Sequence, residues 1–206
     1  AGHLVNVDMA SSALKKLMRK EMSKSISKLS KEEIENQSTI ILTKIRNVDW
    51  FNHSSVVGVF VSTHGEVITD PIIDLLLNLK KEVYIPHFTK SNNNMIFVKL
   101  TSSHWKEGLS PTVWNIRQHS SVESSNKLHI PIDLLIMPGV SFSTSTDGRI
   151  NRLGHGMGYF DRFLNQQMQL HGRLPYLVGL SLREQIVDTV PIEDHDVPLD
   201  CLVYAA

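Results

Sequence analysis

Cysteine is nearly absent: Cys201 is the only one among 206 residues. That excludes a disulfide framework, leaves too few sulfurs for a thiolate zinc site, and suits a reducing cytoplasm. There is no excess of either charge, since Lys+Arg and Asp+Glu both number 21. No global field then favours nucleic acid, and any anion site has to be local. No apolar run approaches the roughly 20 residues of a bilayer span, and no secretory signal pattern is visible. These absences point to a cytoplasmic protein without nucleic-acid or membrane partners, expected to work as a monomer.

What is present fits one globular domain. Hydrophobic residues make up 41% and charged residues 20%, ordinary values for a chain long enough to bury a full core. Residues 1–8 carry no periodicity and precede Met9, so they read as an appended extension, with residues 9–206 as the single domain. Ser11 or Ser12 can cap a first helix bearing Leu14, Leu17, Met18, Met22, Ile26 and Leu29 on one side. Ser30-Lys31-Glu32-Glu33 is a capping box that opens a second helix. Val56 to Val61 is a continuous apolar run, the pattern of a strand buried on both faces. Asp70-Pro71 opens another helix, with Asp as cap. Val83 to Pro86, Met95 to Leu100, Leu134 to Met137, Leu177 to Leu182 and Leu202 to Tyr204 read as further strands. Ser120 to Lys127 and Ser141 to Asp147 read as polar loops. Alternating helix and strand patterns predict an α/β fold with a largely parallel central sheet.

The densest signal is Arg152-Leu153-Gly154-His155-Gly156-Met157-Gly158-Tyr159-Phe160-Asp161. Glycines spaced this closely let the backbone take positive φ and approach a ligand, and free N–H groups at a helix start form an anion site. The spacing is neither G-x-G-x-x-G nor the P-loop G-K-[ST] ending. A tight turn explains the glycines alone, but it does not require Arg152, Tyr159 or Asp161. The stretch reads as a phosphate-binding loop with a metal ligand attached.

Other candidates carry two readings each. Lys15 and Arg19 share a helix face, where they repel unless an anion binds; the alternative is a solvated basic face with Lys16 and Lys20. Glu66 can hydrogen-bond a polar heterocycle, or be a surface carboxylate. Trp114 can stack on a planar ligand, or pack in the core. Glu193-Asp194-His195-Asp196 can join Asp161 in supplying oxygens to magnesium, provided the fold brings them together, or be a solvated loop. His155 has no carboxylate in local reach and reads as a contact residue. There is no G-x-S-x-G, no H-E-x-x-H and no Cys–His pair.

The run from Asp133 to Phe142, then Asp147-Gly148-Arg149, then Arg152 to Arg162, resembles the signature of the 5-formyltetrahydrofolate cyclo-ligase family. Lys15, Arg19, Glu66, Tyr84-Ile85-Pro86, Trp114-Asn115-Ile116 and Pro191 to Asp200 follow in the family's order. The resemblance implies a three-layer α/β/α sandwich like that of sugar-phosphate isomerases. It implies an enzyme that uses ATP and magnesium (Mg2+) to convert 5-formyltetrahydrofolate, with or without a polyglutamate tail, into 5,10-methenyltetrahydrofolate, ADP and phosphate. By that resemblance Lys15, Arg19, Arg152 and the Leu153 to Phe160 loop (Gly154, His155, Gly156, Met157, Gly158, Tyr159) hold the nucleotide. Arg152 and Tyr159 act in catalysis, and Asp161 and Asp196 hold the metal. Val61, Glu66, Trp114 and the loop from His155 to Tyr159 contact the folate. Removing Arg152 or Asp161 is expected to stop turnover and leave the fold intact. The chain departs from the family in four ways. Ser143 to Thr146 are extra, His155 stands where Arg or Tyr is commoner, Met157 where a basic residue or Gly is, and Phe160 replaces a second Tyr. A different ATP-dependent small-molecule kinase and a non-catalytic nucleotide-binding module are the alternatives.

Overall fold

The computed structural model describes residues 2–89, 92–101 and 103–206, with side chains in the first helix from Ala10 onward. In chain order the elements are α1 (Gly2–Ser27), α2 (Lys31–Ile45), α3 (Asp49–Asn52), β1 (Val56–Val59), α4 (Asp70–Asn78), β2 (Glu82–Phe88), β3 (Met95–Lys99), β4 (Leu109–Pro111), β5 (Arg117–His119), β6 (Leu134–Met137), β7 (Ser141–Thr144), β8 (Ile150–Leu153), α5 (Tyr159–His171), β9 (Tyr176–Ser181) and β10 (Cys201–Tyr204). Among the described residues no helix is long and apolar enough to cross a membrane.

Six strands form the central sheet in the order β10-β9-β6-β1-β2-β3. Every neighbouring pair is parallel except β2 with β3. The central strands β1 and β6 are apolar throughout, and Val57, Val59 and Leu134 to Met137 are fully buried. Both faces of these strands are covered, as a continuous apolar run requires. From β1 the chain steps one way, through α4 to β2. From β6 it steps the other way, through α5 to β9. Right-handed crossovers in opposite directions place α4 and α5 on opposite faces of the sheet. The expected three-layer α/β/α sandwich is the result. Between β1 and β6 the winding reverses, so the loops leaving their carboxyl ends diverge and open a crevice.

Local structure departs from the sequence reading in six places. The helical backbone of α1 begins at Gly2, upstream of Ser11 and Ser12 and through the stretch read as aperiodic. On α1 Leu14 and Leu17 are exposed while Lys15 is buried. The helix lies over a polar cleft there, so carboxylates rather than apolar area decide which face turns inward. The capping box of α2 forms by half: Ser30 Oγ accepts from Glu33 N at 3.0 Å. The Glu33 carboxylate instead accepts from Gln37 and Arg183. The cap of α4 is Thr69, one residue before Asp70. Its hydroxyl donates to Phe60 O and accepts from Ser62 N, which closes the loop after β1.

The largest difference is Ser141 to Asp147, read as a loop. It forms the first strand and the turn of a β7–β8 hairpin, with Phe142 paired to Arg152. Serine hid the alternation, because Ser141 and Ser143 point inward; Ser143 Oγ accepts from Val190 N at 2.9 Å. The short hairpin β4–β5 also carries no pattern long enough to read.

Phe142 docks the β7–β8 hairpin onto the sheet. It is fully buried, and its ring occupies space that only glycines at 139 and 179 leave free. A Cβ on either would come within 2.5 or 2.8 Å of it. Phe142→Ala is expected to cost about 3–5 kcal/mol in urea unfolding. A loss under about 1 kcal/mol would show that the hairpin is held otherwise.

Candidate functional site

The crevice at the carboxyl ends of β1, β2 and β6 deepens into a cleft of ≈ 560 Å³. Phe60 and Val61, just past β1, form part of its floor together with Pro138, just past β6. Phe60 N still donates to Ile136 O at 3.4 Å; the strand ends at Val59, short of the Val61 read from sequence, and Phe60 and Val61 stay in the apolar core. Helix α1 supplies Lys15 and Arg19 to one wall, and the glycine stretch and the start of α5 form the opposite wall.

The glycine stretch joins β8 to α5. Gly156 and Gly158 hold φ of 105° and 70°, which side chains with a Cβ rarely adopt. Gly158 is the cap residue of α5, and no side chain caps that helix. The first N–H groups of α5 therefore form an anion-attracting terminus beside the cleft. Arg19 Nε donates to Gly154 O at 2.8 Å, fixing the loop to α1. Leu153 is buried at the end of β8 and Phe160 is buried in the first turn of α5, while Met157 is exposed.

Arg152 lies beneath this loop with a side chain only 5% exposed. Its Nη1 donates to Pro138 O at 2.9 Å, and its Nη2 lies 3.6 Å from Asp161 Oδ2. Its guanidinium sits 5.4 Å over the Phe160 ring. Burial lowers its pKa, and the nearby Asp161 and Asp196 charges oppose that shift. Arg152 is thus a strut as well as a charge. Removing it would leave Pro138 O and Asp161 without this partner.

Lys15 is the most constrained cation of α1. Its Nζ donates to Glu193 Oε2 at 2.8 Å and to Asp196 Oδ2 at 2.6 Å. Burial pushes its pKa down, and the bonds to Asp196 and Glu193 outweigh that, leaving it raised. Lys16 and Lys20 are exposed. The basic face therefore splits, with Lys15 and Arg19 in the cleft and the other two in solvent.

The acidic loop does reach the glycine stretch, as the sequence reading required. Val197 N donates to Asp161 Oδ1 at 3.0 Å, which ties it to α5. Among the described residues, the ligand atoms that converge within 4.8 Å of one another belong to Glu193, His195 and Asp196. Asp161 lines the same cleft but stands outside that trio. Asp161 Oδ2 lies 3.6 Å from Arg152 Nη2, and Asp196 Oδ1 lies 3.5 Å from His195 Nε2.

At the other end of the cleft Glu66 accepts from Thr63 N at 3.2 Å and Thr63 Oγ1 at 3.0 Å. Burial pushes its carboxyl up to about 7, against those two hydrogen bonds. His155 Nε2 lies 3.7 Å from Glu66 Oε1. The fold thus supplies the carboxylate partner that the local sequence around His155 lacked. Burial, with the Arg152 and Arg19 charges, lowers the His155 pKa. Tyr159 packs edge-on against Phe88 with ring centroids 4.9 Å apart. Trp114 is 56% exposed at the cleft rim rather than packed in the core. Sequence reasoning missed Arg117, Pro86 and Phe88 as cleft residues. Pro86 belongs to the Tyr84-Ile85-Pro86 run, but no motif marks Arg117 or Phe88, which β5 and β2 bring to the cleft.

A family model described as the 5-formyltetrahydrofolate cyclo-ligase family matches residues 11–205. A Caenorhabditis elegans protein named as a probable 5-formyltetrahydrofolate cyclo-ligase is 39% identical over 194 residues, covering 93% of this chain and 92% of its own length. The Mus musculus 5-formyltetrahydrofolate cyclo-ligase is 33% identical, over 92% of this chain and 93% of its own. The NMR structure of Aquifex aeolicus 5,10-methenyltetrahydrofolate synthetase superposes with a TM-score of 0.72 at 26% identity, covering 92% of this chain and 89% of that one.

The raised Glu66 carboxyl links stability to pH. Below its ordinary value of 4.5 it is protonated folded or unfolded, and burial carries no charge penalty. Between 4.5 and about 7 the folded protein keeps a proton that the unfolded chain releases, so stability falls as pH rises through that window. Glu66→Gln is expected to abolish that fall in urea titrations at pH 5 to 8, about the span over which Glu66 titrates. Parallel pH curves for variant and wild type would show that Glu66 ionises freely.

Proposed function

The chain belongs to the 5-formyltetrahydrofolate cyclo-ligase family, and from that premise we propose that it closes 5-formyltetrahydrofolate to 5,10-methenyltetrahydrofolate, with ATP consumed to ADP and phosphate. One observation carries the reading. A single cleft is lined by cations, a glycine loop and a helix N-terminus, and also by a buried carboxyl and an exposed indole. The first set suits a triphosphate and the second a flat heterocycle with paired N–H groups.

The formyl group on nitrogen 5 is an amide, so its carbon is a poor electrophile. Transfer of the γ-phosphoryl group of ATP to the formyl oxygen converts that oxygen into a leaving group. Nitrogen 10 of the same molecule then attacks, the ring closes and phosphate departs. Such a reaction asks the protein for positioning and charge neutralisation rather than for a nucleophile. Lys15, Arg19 and the backbone from Leu153 to Phe160 would hold the phosphates. Arg152 and Tyr159 would flank the transferred group. Val61, Trp114, Glu66 and the loop from His155 to Tyr159 would hold the folate. With its carboxyl near 7, Glu66 can accept from a pterin N–H or donate to a ring nitrogen.

The donor set fits magnesium, which takes one or two carboxylates and fills its shell with water and phosphate oxygens. Asp161 Oδ2 and Asp196 Oδ1 are the oxygens that would hold it. A magnesium ion bound there neutralises and orients the phosphates. The single half-buried thiol, Cys201, suits work in the cytoplasm.

Purified protein given Mg-ATP and 5-formyltetrahydrofolate is expected to produce the absorbance of the methenyl product. Asp196→Asn and Asp161→Asn are each expected to lower kcat about 100-fold or more while retaining the wild-type circular dichroism. Normal turnover in Asp196→Asn would remove the acidic loop from the mechanism. ADP release that ignores the folate would mark a kinase of another substrate, and nucleotide binding without release a non-catalytic module.

A further inference from the structure

The β4–β5 hairpin is a sheet of its own, separate from the central one. Its tip is wired to itself. Thr112 N donates to Ile116 O and Asn115 N to Thr112 O, both at 2.9 Å. Thr112 Oγ1 accepts from the N–H groups of Trp114 and Ile116, each at 3.3 Å. Asn115 holds a φ of 61°, which asparagine tolerates better than most residues. The tip is therefore one rigid unit, presenting Val113 at 85% and Trp114 at 56% exposure.

The root fixes where that unit sits. Phe88 N donates to Gln118 Oε1 at 2.9 Å, and Gln118 Nε2 donates back to Phe88 O at 3.1 Å. The next residue, Arg117, forks onto Asp70 at the start of α4. Nη1 reaches Oδ2 at 2.9 Å and Nη2 reaches Oδ1 at 2.6 Å. Nη2 also lies 3.4 Å from Ser62 O. Ser62 begins the loop that carries Thr63 and Glu66. One guanidinium therefore joins the arm bearing Trp114 to the loop bearing Glu66. A bidentate fork fixes orientation as well as distance, which an ammonium does not do.

We infer that Arg117 is a positioning residue, which sets the gap between Trp114 and Glu66 and so the width of the cleft at its folate end, and leaves the phosphate end alone. This rests on the reading of the cleft as a folate site. It extends that reading to a residue with no assigned role.

Steady-state kinetics test it. Arg117→Met is expected to raise KM for 5-formyltetrahydrofolate about ten-fold or more, as misplacement of a substrate-positioning group does. KM for ATP and kcat should stay within about two-fold, the pattern of lost uniform binding. In a Trp114→Ala background the same change should add little, because the guanidinium acts through the indole. Arg117→Lys, which keeps charge opposite Asp70 without the fork, should give a smaller rise and serves if the Met variant does not fold. An equal rise in KM for ATP, or an undiminished effect without Trp114, overturns the inference. A second measurement needs no ligand: 19F spectra of 5-fluorotryptophan-labelled protein, with the Trp114 signal assigned through Trp114→Phe. Arg117→Met is expected to shift or broaden that signal, and an unchanged signal overturns the positioning role. Failure of the wild-type enzyme to form methenyl product would instead remove the folate reading, and the 19F result would still stand or fall by itself.

Discussion

The cleft depends on one buried guanidinium. From β8, Arg152 joins the carbonyl of Pro138 at the end of β6 to the first turn of α5, through the carboxylate of Asp161 and the ring of Phe160 beside it. Gly154 lies directly above; a Cβ there would sit 3.1 Å from Arg152 Nη1. A buried cation is tolerable only where such partners replace its water. The need to satisfy it therefore dictates where the glycine stretch and the α5 terminus can lie.

A second compensation acts across the cleft. Lys15 and Arg19 share a face of α1, and neither points to solvent. Lys15 is neutralised by Glu193 and Asp196, and Arg19 donates to the Gly154 carbonyl. The acidic loop is also bound to α5 through Val197 and Asp161. Three segments distant in the chain thus close one ring around the cleft beside the glycine stretch. The attraction of Lys15 to Glu193 and Asp196 opposes the repulsion expected on an isolated helix and holds α1 in place.

The parts legible in the sequence were those with a strong local cause. Unbroken apolar runs gave β1 and β6, Ser30 gave the start of α2, and the spacing of glycines around His155 and Met157 gave the loop. Trp114, Glu66 and the acidic loop were legible as residue types, and the fold gathers them with Lys15 and Arg19 in one cleft. The β7–β8 hairpin was hidden because Ser141 and Ser143 occupy inward positions where apolar residues usually signal a strand. The inward face of α1 was misread because the helix packs on carboxylates, which hydrophobic periodicity cannot sense. The Glu66–His155 contact and the brace at Arg117 were invisible, since each joins residues far apart in the chain.

The β7–β8 hairpin has its anchors at its base. Phe142 and Arg152 face each other across it, one seated among sheet glycines and the other under the glycine loop. Its turn, Ser145 to Arg149, closes on its own hydrogen bonds, and a Cβ on Gly148 would touch nothing. Ser143 and Thr144 pair with Asn151 and Ile150, so residues added at the turn beyond them would lengthen the tip and leave the base in register. Drift in this turn would be invisible to selection on turnover, so length polymorphism among homologues should pool there while both anchoring positions stay fixed.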